Sequence, residues 1–367
     1  MRLKFSMHAL GLVCLMLALF VPSLSYAGVV LMYHRFDEPD YPTTNIQMDQ
    51  FKAQIDMFER AGLEIIPIED MLQAHLANQP QRDKTIVITV DDAFRSFYDS
   101  LWPYIQEKQL PVALFVSTAP VQSGGSDYMS FDQLREVQAS GLVTIAGHSH
   151  DHVNMTILEP AEQDIQLETA KALMQSELGI DPKIFSFPYG ATSAALKAKV
   201  KDHGYQLAFG QHSGVAVERQ DQEGESRGLL DPFYVPRFPI NENYGDLGHL
   251  SLVMQTLPLP IKDILPKDTL LGEQLLGEQN DKIIDQALPN PPNPPNFGFT
   301  LADADIQAQQ LTCYVSSGVN VLSQNQYGNR IEVRFDAPFP KGRTRINCTL
   351  RAPSGRWHWF GMQFQHN

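Results

Sequence analysis

The sequence predicts an α/β fold on a parallel sheet, followed by a small antiparallel β-domain. Three observations carry this. Short apolar runs alternate with segments of helical spacing from Gly28 to about Arg237, a Pro-rich stretch interrupts the chain near residue 290, and beyond it apolar residues recur with period two. Strands covered on both faces read as continuous apolar runs, whereas half-covered antiparallel strands alternate.

The first element is not part of the fold. Residues 1–27 carry Arg2 and Lys4, an apolar run from Ala9 to Val21, and Ser25-Tyr26-Ala27. This pattern reads as an export signal cleaved before Gly28, and the run is shorter than the roughly 20 residues a membrane span needs. The mature chain is therefore expected in the periplasm or outside the cell, with no membrane span.

Strands are predicted at Val29–Met32, Thr85–Val90, Val112–Val116, Val143–Ala146, Ile184–Phe187 and Gln206–Phe209, and helices at Met48–Ala61, Ser130–Ser140, Pro160–Leu178 and Ala191–Asp202. Such alternation implies a parallel sheet, either open and doubly wound or closed as a barrel; periodicity does not choose. This unit is expected to span 28–265. Residues 266–296 read as a linker, with near-tandem Leu-Gly-Glu-Gln in Leu271–Gln279 and five prolines within 289–295. Residues 297–367 read as a small β-sandwich-like domain, with strands at Ile331–Phe335, Thr344–Leu350 and Arg356–Phe364.

Loss of the signal removes Cys14 and leaves Cys313 and Cys348. An even pair in an oxidising compartment predicts a disulfide, which would stabilise so small a domain by about 3–4 kcal/mol. Trp357 and Trp359 share one strand face; they read as core residues, with sugar stacking as the alternative. The tail is expected to be dispensable for chemistry.

Charge narrows the partners. There are 28 Lys+Arg against 42 Asp+Glu, a net charge of −14. Nucleic acid and anionic lipid are excluded as main partners, because both need clustered Lys/Arg. A hydrophobic content of 43% excludes global disorder.

Three motifs carry chemistry. The strand Thr85–Val90 runs into Asp91-Asp92, two like charges that are costly side by side unless a cation neutralises one. Helix capping is the plainer reading of either Asp. Next, Gly147-His148-Ser149-His150-Asp151-His152 follows another strand, and neutral imidazole is a common ligand of divalent metals. A helical turn would put His148 and His152 on one face, whereas an extended segment would add His150, so the spacing leaves His150 open as a ligand. Third, Phe185-Ser186-Phe187-Pro188-Tyr189-Gly190 is a strand entering a Pro–Gly turn, whose backbone N–H groups can point at an oxyanion.

In this order the three motifs resemble those of the NodB-homology polysaccharide deacetylases, carbohydrate esterase family 4. The opening Val30-Leu31-Met32-Tyr33-His34-Arg35 is similar to the first strand of the subgroup acting on poly-N-acetylglucosamine. The resemblance covers about Gly28–Asn243 and leaves out the β-domain. It implies a distorted (β/α) barrel that removes N-acetyl groups from a polysaccharide or oligosaccharide with one divalent metal, zinc first, with nickel, cobalt or manganese as alternatives. It further implies Asp91 as general base, Asp92, His148 and His152 as metal ligands, and the backbone N–H of Tyr189 as oxyanion donor.

The chain departs from that pattern. Many members place an Arg shortly before the Pro-Tyr-Gly turn to pair with the base; here Ile184–Phe187 has none, and Arg237, in Val235-Pro236-Arg237-Phe238, is the expected substitute. The later Asp/Trp and Leu-x-His motifs are not evident. His212, in Gly210-Gln211-His212-Ser213-Gly214, is the expected proton donor to the leaving amine, with His34 and His249 as lesser candidates. Two other readings stand beside the deacetylase: a non-catalytic carbohydrate-binding or matrix protein on the same barrel, and a metal-dependent hydrolase of a non-sugar C–N bond.

Overall fold

The structure is a computed structural model that describes residues 28–220, 226–271, 291–302, 308–352 and 354–367. The expected export signal therefore lies outside the described residues, as does most of the expected linker. Among the described residues no helix is long and apolar enough to cross a membrane.

Seven parallel strands form the first sheet: β1 (Gly28–Tyr33), β2 (Thr85–Asp91), β3 (Val112–Val116), β4 (Val143–Gly147), β5 (Ile184–Ser186), β6 (Leu207–Phe209) and β7 (Phe238–Pro239). Their order is β7-β1-β2-β3-β4-β5-β6, with a short strand, Glu64–Ile65, also on β2. The ends of this sheet meet. Val235 forms a parallel bridge with Phe209 of β6, and three residues later Phe238 pairs with Leu31 of β1. One segment thus joins both edges, which selects the distorted barrel over the open sheet. All seven residues of β2 are buried, as a strand inside a covered barrel requires.

Helices fall where the spacing predicts, with ends set by local chemistry. Ser130 caps Phe131–Ala139 through the N–H of Gln133. Pro160 opens Pro160–Leu178, and Gly179, at φ 69°, closes it. The helix expected from Ala191 begins only at Ala194, because the Ser193 side chain caps it. Helices at Ile68–Leu76, Trp102–Lys108 and Leu247–Met254 were not read from the sequence. Each is short, so few apolar repeats mark it.

The β-domain begins earlier than expected. Strands β8 (Thr256–Pro258) and β10 (Leu270–Leu271) pair with the last strand, Trp357–His366, and β9 (Ile261–Leu265) pairs with Phe297–Leu301. Strand pairing therefore moves the boundary from residue 265 back to about Thr256. Nor is the described end of the Pro-rich stretch a free spacer: Asn293 exchanges hydrogen bonds with the backbone of Phe339. Two sheets share one core that includes Phe297, Phe299, Ile346, Phe360 and Phe364. Cys313 and Cys348 face each other across an antiparallel pair and are disulfide-bonded.

This domain is seated on the barrel. Trp359 packs edge-on against Phe238 at 5.3 Å, and Arg356 pairs with Asp83. The backbones touch at Gly361, where any Cβ would overlap the Ser213 carbonyl oxygen.

Candidate active site

Parallel barrels expose strand C-termini at one mouth, and the candidate residues gather there. His34 follows β1, Asp91 ends β2, His148 follows β4, and Tyr189 follows β5. Backbone strain concentrates at the same place. Of ten non-glycine residues with positive φ among the described residues, five (Asp92, Ala93, Ser149, His152 and Tyr189) belong to these turns.

The turn after β2 separates the two carboxylates. Asp91 remains in the strand and points inward, fully buried, while Asp92 at φ 77° turns toward the histidines. The Asp92 Oδ1 lies 3.3 Å from His148 Nε2 and 3.0 Å from His152 Nε2. One ligand atom from each of the three residues lies within 4.8 Å of the others. His148 Nδ1 is engaged 2.7 Å from the carbonyl of Ser186, which leaves Nε2 as the nitrogen turned to Asp92. Buried Asp92 Oδ1 and His148 Nε2 have no hydrogen-bond partner of good geometry, the state expected of atoms aimed at a shared cation. One carboxylate and two imidazoles suit a zinc-like ion with positions left open. The residues present fit the metal that the resemblance implies.

His150 is set apart. Its Nδ1 lies 2.8 Å from Thr118 Oγ1, outside the group. Positive φ at both Ser149 and His152 makes the segment a tight turn, so the extended arrangement that would have aligned three histidines does not form.

Electrostatics divide the carboxylates further. Burial opposes ionisation of Asp92, yet the His148 and His152 rings beside it hold its carboxyl well below the usual range. Burial likewise opposes ionisation of Asp91, but the Arg237 guanidinium, together with His148 and His34, outweighs it and keeps the carboxyl low. Arg237 meets Asp91 side-on, at 2.6 Å to Oδ1 and 2.8 Å to Oδ2. Its remaining hydrogens go to the Gly210 carbonyl, Thr89 Oγ1 and Ser186 Oγ, and its plane lies near the rings of Phe115 and Phe209. Arg237 takes the place expected of the substitute from outside the strand. It stands just before β7, whose Phe238 is level with Ile88, and it reaches up the barrel interior to Asp91.

Tyr189 sits at φ 60° in the turn after β5. The turn's own hydrogen bonds use the N–H groups of Gly190 and Ala191, and that of Tyr189 takes no part in them. Gly190 at φ 66° must be glycine, since a Cβ would lie 2.5 Å from the Gln211 nitrogen. The Tyr189 ring packs 4.7 Å from that of His152, so this turn and the Asp92–His148–His152 group share one wall.

The expectation for His212 fails. Its ring stacks on Tyr234 at 4.2 Å and lines a cavity of about 480 Å³ between barrel and β-domain, apart from the mouth. Burial, aided by Arg345, Lys197 and Arg237, pushes it down to about 3, so the ring is neutral at neutral pH and has no imidazolium proton to give. His34, a lesser candidate in the sequence, lies closer to the carboxylates; burial lowers its pKa, and Asp92 and Asp91 oppose that. Its Nε2 is 4.0 Å from Asp91 Oδ2 and its side chain is partly exposed at the mouth. His249 lies on the helix Leu247–Met254, with its ring 6.0 Å from Tyr244, and joins no part of the group.

Fold and site define a class: a NodB-type distorted barrel with an Asp–His–His donor set and an Arg-clamped Asp at its mouth. Residues 78–208 match the polysaccharide deacetylase family. It is similar to the poly-β-1,6-N-acetyl-D-glucosamine N-deacetylase of Escherichia coli K12, at 24% identity over 52% of this chain and 35% of that relative. The match thus spans about a third of that relative's length. Two solved structures share the fold. The Streptococcus pyogenes deacetylase PplD aligns over 62% of this chain and 98% of its own, at TM-score 0.54 and 18% identity. IcaB from Ammonifex degensii aligns over 63% and 97%, at TM-score 0.51 and 21% identity. The matched segment 78–208 contains Asp91, Asp92, His148, His152 and Tyr189, and excludes His34, Arg237 and the β-domain.

Proposed function

We propose that this protein is an exported, metal-dependent hydrolase that removes N-acetyl groups from an N-acetylglucosamine-containing polysaccharide or oligosaccharide. The observation that carries this reading is the juxtaposition of two adjacent carboxylates in different roles: Asp92 converges with His148 and His152, while Asp91 is held ionised by Arg237. A divalent ion held by Asp92, His148 and His152 would polarise the acetyl carbonyl and acidify a water molecule.

The chain's own residues supply the rest. Asp91, oriented by two hydrogen bonds, takes the proton from the attacking water. The N–H of Tyr189 stabilises the oxyanion that forms as water adds to the carbonyl. As the C–N bond breaks, the nitrogen keeps the bonding pair and takes a proton from His34, which gives acetate and a free amine. Export is supported by the N-terminal pattern and by the disulfide, which suits an oxidising compartment.

Acetate release across chitin oligomers, poly-N-acetylglucosamine, peptidoglycan and acetylated xylan, with and without chelator, tests the reading. Release from at least one N-acetylated polymer, abolished by chelator and restored by zinc, is expected. Metal-free protein with full activity overturns it.

A further inference from the structure

We infer that the β-domain is a working part of the catalytic mouth, and that Gln363 and Arg343 position the oxyanion turn by holding the carbonyl of Tyr189. The inference rests on the deacetylase reading and deepens it, since the resemblance and the family match both stop before this domain.

The last strand, Trp357–His366, alternates its side chains between two environments. Phe360, Met362 and Phe364 enter the β-domain core. The odd-numbered neighbours meet the barrel: Trp359 on Phe238, Gly361 against Ser213, and Gln363 on Tyr189. Gln363 is 1% exposed and both ends of its amide are used. Its Nε2 donates to the Tyr189 carbonyl at 3.1 Å, and its Oε1 accepts from Arg345 Nε at 3.2 Å. Arg345 is directly opposite Gln363 on the adjacent strand, Gly342–Arg351, so the strand register itself aims the amide at the barrel.

A second donor arrives from that adjacent strand. Arg343 Nη1 lies 3.2 Å from the same Tyr189 carbonyl and 3.3 Å from Gln211 Oε1, and its guanidinium is 5.8 Å from the Tyr189 ring centre. Gln211 in turn donates to Asp91 Oδ2 at 3.4 Å. The β-domain therefore touches both the oxyanion turn and the base's hydrogen-bond shell.

The reason Tyr189 needs such support is its backbone. A tyrosine at φ 60° stands in the left-handed region that side chains other than glycine's avoid, and surrounding contacts must hold it there. Two donors on its carbonyl anchor the peptide plane that follows Tyr189, and a Cα pinned on that side holds φ near 60°, which sets the direction of the N–H. Without them the turn relaxes and the N–H leaves the oxyanion position, a loss felt only when the oxyanion forms.

The test uses the full chain with zinc bound. Gln363→Leu removes the buried donor at similar volume, Arg343→Ala removes the exposed one, and Arg343→Lys restores a single donor. Arg356→Ala breaks an interface contact remote from Tyr189. Gln363→Leu should lower kcat about tenfold or more, short of the ~10²–10³-fold cost of losing an oxyanion donor outright. KM and zinc affinity should hold. Arg343→Ala should fall in the same direction, Arg343→Lys should recover part of the loss, and Arg356→Ala should match the native chain. Affinity for a methylphosphonamidate analogue of the acetamide should fall with kcat/KM, while acetate affinity stays. Should Gln363→Leu not fold, Arg343→Ala with the analogue decides alone. Native kcat in the folded donor variants overturns the positioning role; a native chain that releases no acetate from any polymer overturns the deacetylase reading instead.

Discussion

Arg237 and Asp91 face each other side-on inside the barrel, 146 residues apart in sequence and both fully buried. Every guanidinium nitrogen of Arg237 is engaged, so the pair is fixed in orientation as well as charge. Arg237→Ala would leave a buried carboxylate unpaired, and a loss of about 3–5 kcal/mol in unfolding free energy is expected by denaturant titration. Because Arg237 keeps Asp91 below its ordinary value, its removal raises the Asp91 pKa, and the acidic limb of the rate profile should move to higher pH. Arg237→Lys should restore charge but lose turnover, since an ammonium cannot make the two-point contact. An unmoved acidic limb in a folded Arg237→Ala protein would show that something else holds the base.

Asp91→Asn should retain metal and lose roughly 10²–10⁴-fold in kcat, the contribution typical of a general base. Calorimetric zinc titration beside turnover checks it. Lost zinc binding, with activity rescued by excess ion, would exchange the roles of Asp91 and Asp92.

Asp92→Ala, His148→Ala and His152→Ala should each abolish tight zinc binding, while His150→Ala should change it little. Loading should also depend on pH. Burial alone would lower the His148 pKa, but Asp92 and Asp91 raise it above 6.5, so metal must displace a proton there. Zinc affinity should therefore fall with acidification from a pH above that ordinary imidazole value. Affinity that is flat from pH 8 to pH 6 would count against His148 as a ligand.

His34 and His212 should separate cleanly. His34→Gln should lower kcat while zinc stays bound. His212→Gln should leave kcat near native at neutral pH, because the buried ring stays a neutral imidazole there. The reverse outcome would return the proton donor to His212.

The disulfide should matter to stability. Cys313→Ser with Cys348→Ser should cost about 2–5 kcal/mol in a small domain of this kind. Since that domain holds the Tyr189 carbonyl, thermal unfolding and kcat should decline together in the double variant. Unchanged kcat after loss of β-domain order would detach the two.

Much of this protein was determined by local sequence. The apolar runs specify β1 to β6, because a strand covered on both faces admits little else, and period-two alternation specifies the last strand. The chemistry-bearing residues Asp91, Asp92, His148 and His152 are legible because each motif follows a strand directly and strand C-termini share one mouth. Tertiary structure decided what depends on distant segments. Phe238 pairs with Leu31, and only that closure brings Arg237 under Asp91. Likewise, alternation puts Trp359, Gly361 and Gln363 on one face, but packing alone sets that face against Tyr189 and Ser213. Packing also buried His212 against Tyr234 and left His34 beside the base. Spacing along the chain fixes which way neighbouring side chains point, whereas burial and charge depend on residues hundreds of positions away.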